Sequence, residues 1–279
     1  MKNLLCYGFL FILTAAQTAQ PMDETKKKKP QKPKVTFQTP NKKSNDISIQ
    51  WAAGHGDFDT VNQKLEANPS CLNSTDKNGE TALHWSAGNN HFNIVTLLLK
   101  QPKVQINARN NKGQTPLAWA SYKGHTGMAQ LLLDNGANPE LKDNEEKTPF
   151  QWASGAGKLE IMKLLFGTKK CLINQQDKNK QTALHWAVWG VHKEATDQLL
   201  AWGADCNIQN HKGYTPLMYV VQKATVHTQK NVVDIIQALL NHGAQKTLKN
   251  NYGETAKDLL SRATFISQNN KKQLEELLS

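Results

Sequence analysis

The 279-residue chain lacks most of the marks of chemistry. It has no nucleotide-binding glycine loop, no His-Glu-x-x-His, no Gly-x-Ser-x-Gly and no calcium-loop pattern, so the motif-bearing enzyme and metal classes find no support. Cysteine is scarce, at four residues, with no Cys-x-x-Cys or Cys/His spacing that would hold zinc. No apolar run reaches the length of about 20 residues that a bilayer requires. Acidic residues are missing altogether from residues 25–45, which hold Lys26, Lys27, Lys28, Lys29, Lys32, Lys34, Lys42 and Lys43. Those eight lysines account for most of the formal net charge of +11, leaving the rest of the chain only mildly basic.

The N-terminal end reads as two non-globular pieces. Lys2 precedes the apolar stretch Leu4–Leu13, followed by Thr14-Ala15-Ala16, the layout of a secretory signal over residues 1–16. Residues 17–47 follow as a lysine- and proline-rich linker with few apolar side chains, too few to offset the entropy of ordering it. The expected location is therefore secreted or periplasmic, with no transmembrane segment in the mature chain. Removing the signal leaves Cys71, Cys171 and Cys206, an odd number that reads as isolated small apolar residues.

From residue 48 the chain repeats itself. Trp51, Trp85, Trp119, Trp152, Trp186 and Tyr219 recur at steps of 34, 34, 33, 34 and 33. Each sits in the same frame, as in Asp76-Lys77-Asn78-Gly79-Glu80-Thr81-Ala82-Leu83-His84-Trp85 and Asp177-Lys178-Asn179-Lys180-Gln181-Thr182-Ala183-Leu184-His185-Trp186. Thr81, Thr115, Thr148, Thr182 and Thr215 stand where a helix wants an N-cap. Pro116, Pro149 and Pro216 follow at the first helical position, where the missing N–H costs nothing. Small residues, including Ala87, Ala120, Ala153 and Ala187, allow close helix packing. A turn at Asn90, Gly124 or Gly157 then leads to a second apolar helix that stops at Asn135-Gly136 or Trp202-Gly203.

At these residues the chain resembles the ankyrin repeat family, whose Asp-x-x-Gly-x-Thr-Pro-Leu-His and Gly-Ala-Asp-x-Asn elements recur copy by copy. The resemblance spans residues 48 to about 262. It implies an all-α fold: a solenoid of stacked helix-turn-helix units with projecting β-turn fingers and a concave binding side. About six to seven repeats fill residues 48–279, beginning with a copy that lacks its finger and ending in a cap from Asn250, where Lys257 and Asp258 replace buried positions. The family also implies that His84 and His185 tie the first helix to neighbouring backbone.

Departures from the frame single out particular places. Glu146 and Lys180 occupy the finger position held elsewhere by Gly79, Gly113 and Gly213, so those turns are either built differently or strained. Val191 occupies the inter-helix glycine position. The copy starting at Asn210 holds seven extra residues within 222–231, forming either a loop suited to binding or two helical turns. His55, His91, His125 and His192, beside the inter-helix turns, read as solvent-facing or capping.

The expected function is non-enzymatic: a monomeric scaffold that binds a protein partner, with no cofactor and no metal. The candidate contact residues are Trp119, Trp152, Trp186, Tyr219, Glu146 and Lys180, on the concave side and the finger tips. The aromatic row reads first as packing between repeats, with a part-exposed edge as the alternative that serves both. A host protein and a periplasmic protein both remain open as partner. Nucleic acid is the less favoured ligand, with attachment to an anionic surface through the lysines as the competing reading.

Overall fold

The computed structural model describes residues 47–223, 229–262 and 268–279. The signal and linker expected over 1–46 lie outside them. Fourteen α-helices are found among the described residues, paired into seven units. The pairs are α1 (Ile49–His55) with α2 (Phe58–Ala67), α3 (Ala82–Gly88) with α4 (Phe92–Leu99), α5 (Pro116–Lys123) with α6 (Thr126–Asp134), and α7 (Pro149–Gly155) with α8 (Leu159–Gly167). They continue as α9 (Ala183–Trp189) with α10 (Lys193–Ala201), α11 (Pro216–Gln222) with α12 (Gln229–Asn241), and α13 (Ala256–Ser261) with α14 (Gln268–Leu278). Each first helix packs on its own partner and on the first helix of the next unit, so one core runs the length of the stack.

These first helices are only six to eight residues long, too short to hold together on propensity alone. Two things stabilise them. Between neighbours lie side chains small enough for close approach, with Ala53, Ala87, Ala120, Ala153, Ala187 and Val220 wholly buried. At their N-termini every expected threonine caps: Thr81, Thr115, Thr148, Thr182 and Thr215 accept from the backbone N–H three residues on. The second helices supply the larger groups, such as Ile161, Met162 and Leu165, also fully buried.

His84 and His185 complete the caps and also bind one unit to the next. In each ring Nδ1 accepts the threonine N–H at 3.2 Å. The ring is therefore neutral with its proton on Nε2, which donates to Gln114 O at 2.9 Å or Tyr214 O at 3.1 Å in the following unit. Gln151 does the same work, accepting from Thr148 N–H and donating to Gln181 O at 3.1 Å. In the seventh unit Asp258 caps Thr255 but stands exposed.

Part of the extra length of the sixth unit is helical. The helix α12 has 13 residues against 9 in α10, and aligning their C-terminal stops places the additional turn at its start. The remaining extra length falls between Lys223 and Gln229, where residues 224–228 lie outside the description.

Protonating His84 or His185 would place a proton on Nδ1 against the capped N–H, and burial pushes both rings down from 6.5 to about 4. A base with a depressed folded pKa binds its proton better when unfolded, so this stability is complete above about pH 6.5. It is lost as pH falls from there towards about 4, at up to about 1.4 kcal/mol per pH unit per ring. Urea unfolding across that range should show the slope, and His84→Gln with His185→Gln should flatten it. An unchanged slope in that variant would assign the acid sensitivity to other groups.

Candidate protein-binding surface

Before each first helix from α3 onward, the chain projects a finger. Six are described, and in each the leading Asp or Asn is the anchor. Asp76 Oδ1 accepts from the N–H of Asn78 at 2.8 Å and of Glu80 at 3.0 Å. Asn110, Asp143, Asp177, Asn210 and Asn250 repeat this pair of bonds at 2.9–3.0 Å. A short polar side chain that satisfies two backbone amides forces a tight turn. Each finger after the first then donates one backbone N–H to its predecessor, as in Asn111 N to Asn78 O at 2.9 Å and Lys178 N to Glu145 O at 3.0 Å.

The second oxygen of the anchor explains the aromatic row. Asp76, Asp143 and Asp177 present Oδ2 to the indole N–H of Trp85, Trp152 and Trp186 at 2.9–3.0 Å. An asparagine anchor has no second oxygen, and the partners change accordingly. Beside Asn110, Trp119 donates to Gln114 Oε1 at 3.1 Å. Beside Asn210, Tyr219 replaces tryptophan, and its hydroxyl accepts from the Asn210 amide at 2.9 Å. The row therefore braces the first five fingers against their own helices. It is also part-exposed: Trp119, Trp152, Trp186 and Tyr219 are all half-buried.

Lys147, which the sequence reading passed over, lies within this row. Its Nζ sits 3.8 Å from the ring centre of Trp186 and 4.8 Å from that of Trp152, a cation between two indole faces. Burial lowers its pKa against the opposing pull of Asp177, Asp143 and Glu145, while burial raises that of Asp177. Tyr122 meets Trp152 edge-on at 5.5 Å, and Trp189, 39% exposed, meets Tyr219 at 5.6 Å. The only sequence signal for these two was an aromatic three residues beyond the row, one helical turn along the same face.

Glu146 and Lys180 resolve the open question about their turns. Both keep the standard finger, at φ 59° each, where the glycines of the other fingers have φ 75–78°. The turn is the same and the strain is accepted, at about 1–2 kcal/mol for a residue with a Cβ. The neighbouring finger shows where glycine is required. A Cβ on Gly79, Gly113 or Gly213 would fall 2.4–2.6 Å from the side-chain oxygen of Asn111, Asn144 or Asn251 and 2.6–2.8 Å from the backbone N of the same residue in the next finger. Glu146 and Lys180 hold their side chains at a smaller positive φ, before next fingers that carry Lys178 and His211 in place of that asparagine. Val191 likewise takes the left-handed turn expected of glycine, at φ 54°.

Three of the turn histidines correct the sequence reading. His91, His125 and His192 make no side-chain cap; each turns its Nε2 back to a carbonyl of the preceding unit, Gly54, Gly88 or Gly155, at 3.1 Å. They bind units together. His55 caps locally, on Trp51 O at 2.8 Å. Cys71, Cys171 and Cys206 are free thiols, each directed at a backbone carbonyl, and burial raises all three, Cys171 to about 11. They are poor nucleophiles at neutral pH.

Stacked helix pairs with hydrogen-bonded fingers define a solenoid of the ankyrin class, and the comparisons agree. The family model of ankyrin repeats in three copies matches residues 49–143 and 135–210, and that of the single ankyrin repeat matches 212–251. The chain belongs to the ankyrin repeat family. A putative ankyrin repeat protein of Fowlpox virus (strain NVSL) is 30% identical over 95 residues. That match takes in 34% of this chain and about a fifth (19%) of the viral protein. The crystal structure of the human ASB11 ankyrin repeat domain superposes with a TM-score of 0.69 at 22% identity, covering 83% of this chain and 96% of that one. Ankyrin repeats are generally protein–protein interaction modules, and the proteins built from them are typically non-enzymatic scaffolds.

The anchor-to-ring bond makes a sharp prediction. Asp177→Asn leaves the Trp186 N–H facing an amide NH2, and should cost about 1–3 kcal/mol. Combining it with Trp186→Tyr recreates the natural Asn210–Tyr219 pair and should recover part of the loss. Strict additivity of the two changes in urea unfolding would show that the anchor and the ring are uncoupled.

Proposed function

We propose that this chain is an exported, non-enzymatic scaffold that binds a protein partner through the first-helix row and finger tips of its middle units. One observation carries the reading. In the units holding Trp119, Trp152 and Trp186, half-buried aromatic rings lie beside two strained, oppositely charged tips, Glu146 and Lys180. Strained backbone persists where the surrounding structure enforces it, and it clusters at functional positions. Tryptophan and tyrosine are also the residues most enriched where interfaces concentrate their energy. The rings already brace the fingers, so binding uses their exposed edges.

Export rests on the apolar run before Ala16, and a host or a periplasmic protein fits such a scaffold equally. The lysines of residues 26–43 support a second reading, a salt-sensitive attachment to anionic surfaces.

Two measurements test the proposal. Affinity capture with the mature chain, from periplasmic extract and from eukaryotic lysate, should yield a partner whose binding weakens by about 2 kcal/mol in Trp152→Phe, or with charge reversal at Glu146 and Lys180. Thermal unfolding of each variant separates binding from folding. Affinity that ignores these changes but vanishes on deleting Thr225–Gln229 would move the site to the insertion. For export, the intact mass of protein recovered outside the cytoplasm should lack roughly the first 16–20 residues. A full-length chain found only in the cytosol would overturn the location.

A further inference from the structure

The exposed charges of the finger tips are arranged in blocks. The first and second fingers present Lys77 and Lys112. The third, Asp143–Lys147, presents Glu145 and Glu146. The fourth and fifth present Lys178, Lys180 and Lys212, and exposed Lys249 leads into the sixth. Of the four ion pairs among the described residues, the one at a tip is Lys142–Glu146 at 3.9 Å; Lys178 and Lys180 take part in none of them.

These tips are held rigidly in register. Lys178 N bonds Glu145 O at 3.0 Å, and His211 reaches Asn179 O twice, by its backbone N–H at 3.0 Å and its Nδ1 at 3.1 Å. Asn251 N then bonds Lys212 O at 3.0 Å. Of the five residues other than glycine with positive φ, four (Glu146, Lys169, Lys180 and Val191) fall between residues 146 and 191. The acidic and basic blocks meet within that stretch. The two tip positions that carry a side chain in place of glycine are therefore adjacent along the row and opposite in sign.

Resting on the docking reading above, we propose that the finger edge binds an extended polypeptide segment that presents carboxylates to the fourth and fifth fingers and a basic side chain to the third. Successive tips lie roughly 10 Å apart, the spacing of packed helices, so the complementary charges are some three residues apart in an extended chain. A nucleic-acid strand fits less well. Its uniform phosphates would meet Glu145 and Glu146 in mid-row, and like charge across an interface is a strong discriminator.

The test uses the full chain and three labelled probes: a uniformly acidic peptide, a block peptide with lysines preceding glutamates, and single-stranded oligothymidine of equal charge. Fluorescence anisotropy is read at several salt concentrations. The lysines of residues 26–43 are common to every variant, so only the differences between variants report on the tips. Lys180→Gly and Glu146→Gly remove the charge while installing the residue that other fingers already carry, which protects the fold. The block peptide should bind tightest. Lys180→Gly with Lys212→Ser should weaken it by about 3–10-fold, the worth of two exposed charge pairs. Glu146→Gly should weaken the block peptide and strengthen the acidic one.

Binding that ignores all tip changes would overturn the proposal and assign the probes to the lysine-rich segment. Tighter binding of oligothymidine, lost in the same variants, would overturn it in favour of nucleic acid. If peptide binding is flat while a captured partner still depends on Trp152, the docking reading stands and the charge assignment falls. If the peptides respond as expected while the captured partner ignores Trp152, the docking reading falls instead.

Discussion

Every finger of this solenoid hangs on one side-chain oxygen. The Asp or Asn at the base of each finger satisfies two backbone amides with Oδ1 and thereby fixes the turn. The turn delivers the capping threonine to the helix that follows. Where the anchor is Asp, its second oxygen also holds the indole N–H of the tryptophan on that helix. Helices of two turns with alanine interfaces have little stability of their own. Their order derives from these polar ties and from the apolar second helices stacked behind them.

The architecture was legible because its signals are local and recur at a fixed period. Capping threonines, first-position prolines and stop glycines each act within one turn, so spacing alone places them. The tie that His84 and His185 make to neighbouring backbone was legible through the family resemblance instead. What sequence could not show is what crosses between units. His91, His125 and His192 bond to carbonyls 37 residues earlier, and nothing in their neighbourhood in sequence announces it. Lys147 was missed likewise, because a lysine before a capping threonine reads as a solvated tip until the next unit lays Trp186 over it.

The aromatic row shows why structural and binding readings of one residue need not compete. An indole N–H fixed on a carboxylate orients the ring and removes the conformational freedom that binding would otherwise have to quench. A rigid, half-exposed ring is a better contact than a free one. The same bond that makes these tryptophans structural prepares their outer edges for a partner.

The glycine and asparagine pairing between fingers gives the array a grammar. The glycine belongs to one repeat, and the asparagine and backbone that crowd it belong to the next, so each junction has a type set jointly by its two sides. At Gly79, Gly113 and Gly213 a side chain would collide with the following finger, whereas Glu146 and Lys180 hold one at a smaller positive φ. A repeat whose finger carries glycine and one whose finger carries a charge are therefore not interchangeable parts: exchanging them changes the fit of a junction as well as the chemistry of a tip.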